Sequence, residues 1–238
     1  MRKELVLEFD IEEQPDDVTC GPTCLQALYR YYNDDVSLKQ LIREVKQLKN
    51  GGTLAVMLGN NALKRGYKAT IYSYNLNVFD PSWAELSKRK VIRNLNQQMA
   101  FKHKRRKLQV ASKAYIQFLE AGGELRYGEL DEQLIKGHLN NSTPILAGLS
   151  ATYLYGTARE IPQFDIYDDI KGEPAGHFVV ISGYDEREGC VYLADPMTPN
   201  PISKGRVYGV TFSRLVNSIM LGIVTYDANL LIIEPAKK

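Results

Sequence analysis

The spacing of apolar positions changes several times along the chain, and each change marks an element. Residues 4–9, "ELVLEF", alternate apolar and polar side chains, which predicts a short strand. A polar loop, "QPDDVT" at 14–19, follows. From Cys20 to Tyr32 the period becomes helical: Cys24, Leu25, Leu28 and Tyr32 form one buried stripe. Pro22 falls in the first turn, where a missing backbone N–H costs nothing. Ser37 is placed to cap a second helix whose apolar side is Leu38, Leu41, Ile42, Val45 and Leu48. "GGT" breaks it, and a third helix is expected from Thr53 to near Gly66. "YKATIYSYN" then has the β-branched and aromatic content of a strand.

Residues 75–143 read as three helices, "DPSWAELSKRKVIRNLNQQMAFKHKRRK", "LQVASKAYIQFLEAGG" and "YGELDEQLIKGHLNN". The carboxyl third turns to strands: "TPILAGLS", "HFVVISGYD", "GCVYLADP", "RVYGVTF" and "NLLIIEP", with "YDEREGC" as a hairpin turn between two of them. Helices first and strands later predict an α+β fold, N-terminal helices packed on a C-terminal antiparallel β-sheet. With no internal repeat or low-complexity linker, the expectation is one domain over 1–238, with 75–143 as a helical insertion.

Composition narrows the classes. At 238 residues, 44% hydrophobic and 24% charged, the chain has material for a core, which excludes wholesale disorder. A net charge of +2 advertises no nucleic-acid partner. Apolar runs such as "SIMLGIV" fall short of the ~18 residues that span a bilayer, so no membrane partner is expected. The N-terminus turns acidic before a signal-peptide core can form. Cys20, Cys24 and Cys190 are too few and scattered for a disulfide framework, which makes a reducing cytoplasm the expected compartment.

Chemistry concentrates on a few positions. Cys20 stands at the predicted start of a helix, followed by Gly21, which leaves room for a substrate carbonyl. Unpaired N–H groups and the helix dipole favour an anion there, and thiolate is the nucleophilic form of cysteine. Taken alone, a cysteine reads first as a small buried residue, and other positions must shift that reading for Cys20. Of three histidines, His103 lies in a basic run and His138 near a helix end, whereas His177 opens the strand "HFVVISGY". In that place it is firmly held and able to serve as the base for Cys20. Asp195 ends the next strand, where a carboxylate can orient the imidazole, although Asp before Pro is also ordinary turn chemistry. Gln14, six residues before Cys20, offers a side-chain N–H for an oxyanion hole with the Cys20 N–H.

The runs "QPDDVTCGPTCLQALYRYY", "GGTLAVMLGNNALKRGYKATIY", "PILAGLS" and "GHFVVISGYD…VYLADP" resemble the bacteriocin-processing cysteine peptidases, which remove double-glycine leader peptides and belong to the papain-like superfamily. The resemblance covers 10–75 and 143–197. It implies a papain-like fold with Cys20 as nucleophile, His177 as base, Asp195 as orienting acid and Gln14 as oxyanion donor. It also implies a peptide or small amide substrate, and no metal or organic cofactor. The chain departs from the pattern at Thr19, where the family usually has an acid, and in the long separation of Cys20 from His177. The same chemistry serves an amidase or acyltransferase, and a degenerate peptide-binding module is the rival from another class.

Other signals carry less. The three residues inside "CGPTC" put Cys24 one helical turn beyond Cys20, so it reads as packing and not as a redox partner or zinc ligand. "KHKRRK" (Lys102 to Lys107) reads as a solvated helix face or as a dock for an acidic peptide. Asp165, Asp168, Asp169 and Glu173 read as a solvated loop or a lid. The segments 75–143 and 153–173 are therefore expected to govern substrate choice.

Overall fold

The computed structural model describes residues 4–48, 51–162 and 166–236. In chain order its first half holds β1 (Glu4–Val6), α1 (Cys20–Tyr31), α2 (Leu38–Glu44), α3 (Ala55–Lys64), β2 (Tyr67–Ser73), α4 (Lys88–Phe101) and α5 (Arg106–Glu120). Next come β3 (Glu124–Arg126), α6 (Glu132–Asn140), β4 (Ile145–Ser150), α7 (Ala151–Tyr155) and the small pair β5 (Glu160–Ile161) and β6 (Ile166–Tyr167). The chain closes with β7 (Gly176–Asp185), β8 (Cys190–Ala194), β9 (Val207–Thr211), α8 (Phe212–Leu221) and β10 (Asn229–Pro235).

The α+β fold is as expected, with a sheet wider than the sequence suggested. Its order is β3-β2-β10-β4-β7-β8-β9, and β1 joins alongside β7. Pairing is antiparallel throughout except for β2 with β3. Strand β7 organises the middle. Its first half pairs with β4, from Ser150 opposite Gly176 to Ile145 opposite Ile181, and its end pairs with β1. Gly183 permits that second contact, since a Cβ there would lie 2.5 Å from the Leu5 carbonyl oxygen.

Both faces of the sheet are covered. Leu146, Phe178, Val180, Ala194, Leu231 and Ile233 face a core shared with α1, α3, α4 and α5. The alternate residues Ala147, Leu149, Val179, Ile181, Leu193 and Leu230 face α6, α7 and α8. A strand buried on both sides has no polar face, which explains why β4 and β7 read as unbroken apolar runs.

Several expected boundaries shift. Ser37 does cap α2, its Oγ accepting the Gln40 N–H, but the helix stops at Glu44, short of Leu48. The strand expected over 4–9 ends at Val6, and α3 begins at Ala55, two residues beyond Thr53. Pro81–Trp83 forms a separate single turn, and α4 starts only at Lys88. The 75–143 region is more than a helical insertion. It contributes β3 to the sheet edge, with α4 and α5 on one face and α6 on the other. Helix α8 was not expected. Its apolar residues Leu215 and Ile219 recur at helical spacing within a region otherwise rich in strands.

Candidate active site

Helix α1 begins at Cys20 without the usual cap. The N-cap residue Thr19 turns its hydroxyl to donate to the Asp16 carbonyl at 3.1 Å and accepts no N–H from the first turn. Pro22 has no N–H at all, and the intrahelical ladder starts with Thr23 donating to the Thr19 carbonyl at 3.0 Å. The N–H groups of Cys20 and Gly21 thus stand at the positive end of the helix without a capping side chain. Gly21 does not open a passage for a carbonyl, as the sequence had suggested. A Cβ there would meet Thr53 at 2.6 Å and Phe178 at 3.2 Å, so the glycine lets the helix start pack against β7.

Phe178 adjoins His177, and that packing brings the imidazole to Cys20. His177 sits second in β7 opposite Leu149 of β4, almost fully buried. Its Nε2 lies 2.8 Å from Asp195 Oδ1, and since a carboxylate only accepts, Nε2 carries the proton of that bond. Nδ1 is the nitrogen left for the Cys20 side chain, which raises the ring's proton affinity. Burial alone would lower the imidazole's proton affinity. The Asp195 charge and hydrogen bond, with Cys20 acting in the same direction, outweigh it, so its pKa is pushed up to about 10.

Asp195 has no solvent exposure and every donor it needs. Oδ1 also accepts the Met197 N–H at 2.9 Å. Oδ2 accepts hydroxyl hydrogens from Tyr155 at 2.8 Å and Tyr208 at 2.6 Å. Burial pushes the carboxyl up, but the His177 charge and hydrogen bond, the Tyr208 hydroxyl and the Met197 N–H bring it below its ordinary value. Both phenols are held well above theirs, first by burial and then by the Asp195 charge, so they remain donors. Neither tyrosine was foreseen. Tyr208 is one strand residue among several in β9, and Tyr155 lies in a one-turn helix.

Gln14 is brought to the same corner through its backbone, whose N–H donates to the Pro196 carbonyl at 2.9 Å. One side-chain N–H donates to the Asp16 carbonyl at 2.9 Å, which leaves the second for another acceptor. The remaining candidates fall elsewhere. His138 stacks edge-on against Tyr72 of β2, and burial lowers its pKa. His103 is exposed in the turn between α4 and α5, and the basic run spans that turn and the first residues of α5. Cys24 is core, its Sγ 3.3 Å from the Phe178 carbonyl and its thiol pushed up chiefly by burial. Asp168 holds a tight turn by accepting the Ile170 and Lys171 N–H groups, and Asp165 lies outside the described residues. No helix among the described residues is long and apolar enough to cross a membrane.

No curated protein matches the chain. Among solved structures, one from Bacillus anthracis described as a C39-like peptidase superposes with a TM-score of 0.53 at 14% identity, covering 100% of both chains. The peptidase domain of Streptococcus ComA, a bi-functional ABC transporter, gives 0.47 at 15%, covering 96% of this chain and 100% of that one. Xylellain, a cysteine protease from Xylella fastidiosa, gives 0.49 at 11%, covering 100% and 87%. At such identities the Bacillus likeness speaks for the fold, a papain-like α+β arrangement. The sequence match goes further, because the Peptidase_C39 like family profile spans residues 6–217, from the end of β1 into α8. On that match the chain belongs to the Peptidase_C39 like family.

Proposed function

We propose that the chain is a cysteine peptidase acting as one domain, with Cys20 as nucleophile and His177, Asp195 and Gln14 in support. The observation that carries this reading is the His177 ring, anchored by Asp195 on one nitrogen, with Cys20 of an uncapped helix start acting on its proton affinity. His177 takes the Cys20 proton, leaving thiolate, the nucleophilic form. The thiolate attacks the carbonyl carbon of a peptide bond, and the carbonyl π pair moves onto oxygen. The Cys20 N–H and the second Gln14 side-chain N–H receive that oxyanion. Collapse expels the amine, which takes the His177 proton, and leaves a thioester. Neutral His177 then removes a proton from water as it attacks the thioester, releasing the acid and restoring the thiolate–imidazolium pair. The substrate is a peptide, and none of these steps calls for a cofactor.

The test needs no substrate. Limiting iodoacetamide near neutral pH, with adducts located by mass spectrometry, should label Cys20 first. Cys24 and Cys20 are buried and Cys190 is the more accessible thiol, so accessibility alone favours Cys190. Preferential labelling of Cys20 reflects activation, and His177→Ala should remove it. Equal or faster labelling of Cys190 would overturn the assignment.

A further inference from the structure

A second buried carboxyl lies against the strand that carries His177, and the scheme above leaves it without a role. Asp227 is 5% exposed, in the turn between α8 and β10. The chain holds it between two non-glycine residues in the left-handed region, Tyr226 at φ 74° and Ala228 at φ 53°. Such conformations are costly and persist where the surroundings demand them. Its backbone is pinned on both sides, with its N–H on the Gly222 carbonyl at 2.9 Å and its carbonyl accepting from Asn229 Nδ2 at 2.8 Å.

The carboxyl is pressed against Gly176, the residue before His177. A Cβ built on Gly176 would come within 2.3 Å of Asp227 Oδ2 and 2.8 Å of Thr225 Oγ1. The Thr225 hydroxyl has one hydrogen and two acceptors, the Gly222 carbonyl at 3.0 Å and Asp227 Oδ2 at 2.6 Å. When Asp227 is neutral it donates to Thr225, which donates to Gly222; when ionised, it draws the Thr225 hydrogen to itself. The groups facing it are His177 of β7 and, from α5, Lys107 and Tyr115. His177 is in turn faced by Asp195 just after β8, Cys20 of α1 and the Tyr155 ring of α7.

We propose that Asp227 is a positioning residue of this site: it fixes the backbone that starts at Gly176 and adds a second carboxylate to the field around the His177 imidazolium. The proposal rests on the reading of His177 given above. Burial pushes the Asp227 carboxyl up to about 7, against the Thr225 hydrogen bond and the Lys107 and His177 charges, so it ionises while His177 is still cationic.

Coupling between two titrating groups is reciprocal, which supplies two independent arms. The first follows the imidazole of His177 by NMR titration in wild type and Asp227→Asn, assigned against His177→Gln. Loss of Asp227 should lower the proton affinity of His177 by about tenfold, one unit of midpoint. In the second arm, the Asp227 carboxyl carbon is titrated in wild type and His177→Gln, and its midpoint should rise by the same factor. A His177 midpoint unmoved in a folded Asp227→Asn protein overturns the proposal, whatever happens to stability. Should that variant fail to fold, an unmoved Asp227 midpoint in His177→Gln does the same. Iodoacetamide labelling of wild type in parallel separates the readings, since fast Cys20 labelling without this coupling sinks only the role of Asp227.

Discussion

The sharpest consequence of the geometry falls on two tyrosines remote in sequence from the cysteine. Asp195 is fully buried, and Tyr155 and Tyr208 supply the only hydrogen bonds to Oδ2 among the described residues. Tyr208→Phe removes one bond to a charged acceptor, which is worth ~1.5–3 kcal/mol when lost. For a domain of this size that lowers Tm by ~4–8 °C at the middle of the range. Tyr155→Phe should cost a similar amount. The double variant should exceed the sum by ~1 kcal/mol or more, because each single variant keeps one donor on Oδ2 and the double keeps none. The acid side should change as well. Asp195 has a depressed carboxyl, so its contribution is present above the unfolded value of 3.8 and lost as pH falls through the folded one. With donors removed, the folded value rises, so the contribution shrinks and its loss is complete at a higher pH. Urea unfolding followed by circular dichroism at pH 7 and at pH 4 measures both effects. A Tyr208→Phe protein within ~0.5 kcal/mol of wild type, or a double variant that is simply additive, refutes the claim that the phenols hold a buried charge.

Two further outcomes follow from the same structure. His177 has a folded pKa near 10 against an ordinary 6.5, so its contribution is fully present below 6.5 and is lost as pH rises towards 10. His177→Gln should flatten stability across that window in a urea series, and an unchanged slope would show that the imidazole is not cationic in the fold. At the exposed start of α5, Lys107 lies over the Tyr226 ring, next to Asp227 and hence near the site. Reversing Lys104, Arg105 and Arg106 to Glu should therefore raise KM for an acidic peptide several-fold with little change in kcat, an effect that fades as salt screens the charges. Equal KM values at low salt would mark the run as solvated surface.

Cys20, His177 and Asp195 were legible because each stands at a local boundary that sequence marks. Cys20 follows a polar loop where a helical period starts, His177 opens an apolar run, and Asp195 closes one before a proline. The tyrosines that secure Asp195 carry no such mark, since their roles depend on β9 and α7 arriving beside β8 from elsewhere in the chain. Strand β3 was missed for a related reason: three residues, "ELR", form a strand only because β2 offers a parallel edge. Helix α8 was hidden by context, its short amphipathic pattern lying among strands. Gly21 was legible as special but not for its true reason, because the neighbours that crowd it, Thr53 and Phe178, come from distant segments.

The cage around Asp195 also bears on the order of events during synthesis. Cys20 is translated 188 residues before Tyr208. Until β9 docks, Asp195 lacks a donor and the imidazole lacks its full support. A nascent or truncated chain thus carries a cysteine on a helix but no completed centre. On the role proposed for Cys20, that late hydrogen bond makes activation of the thiol wait for a strand translated long after it.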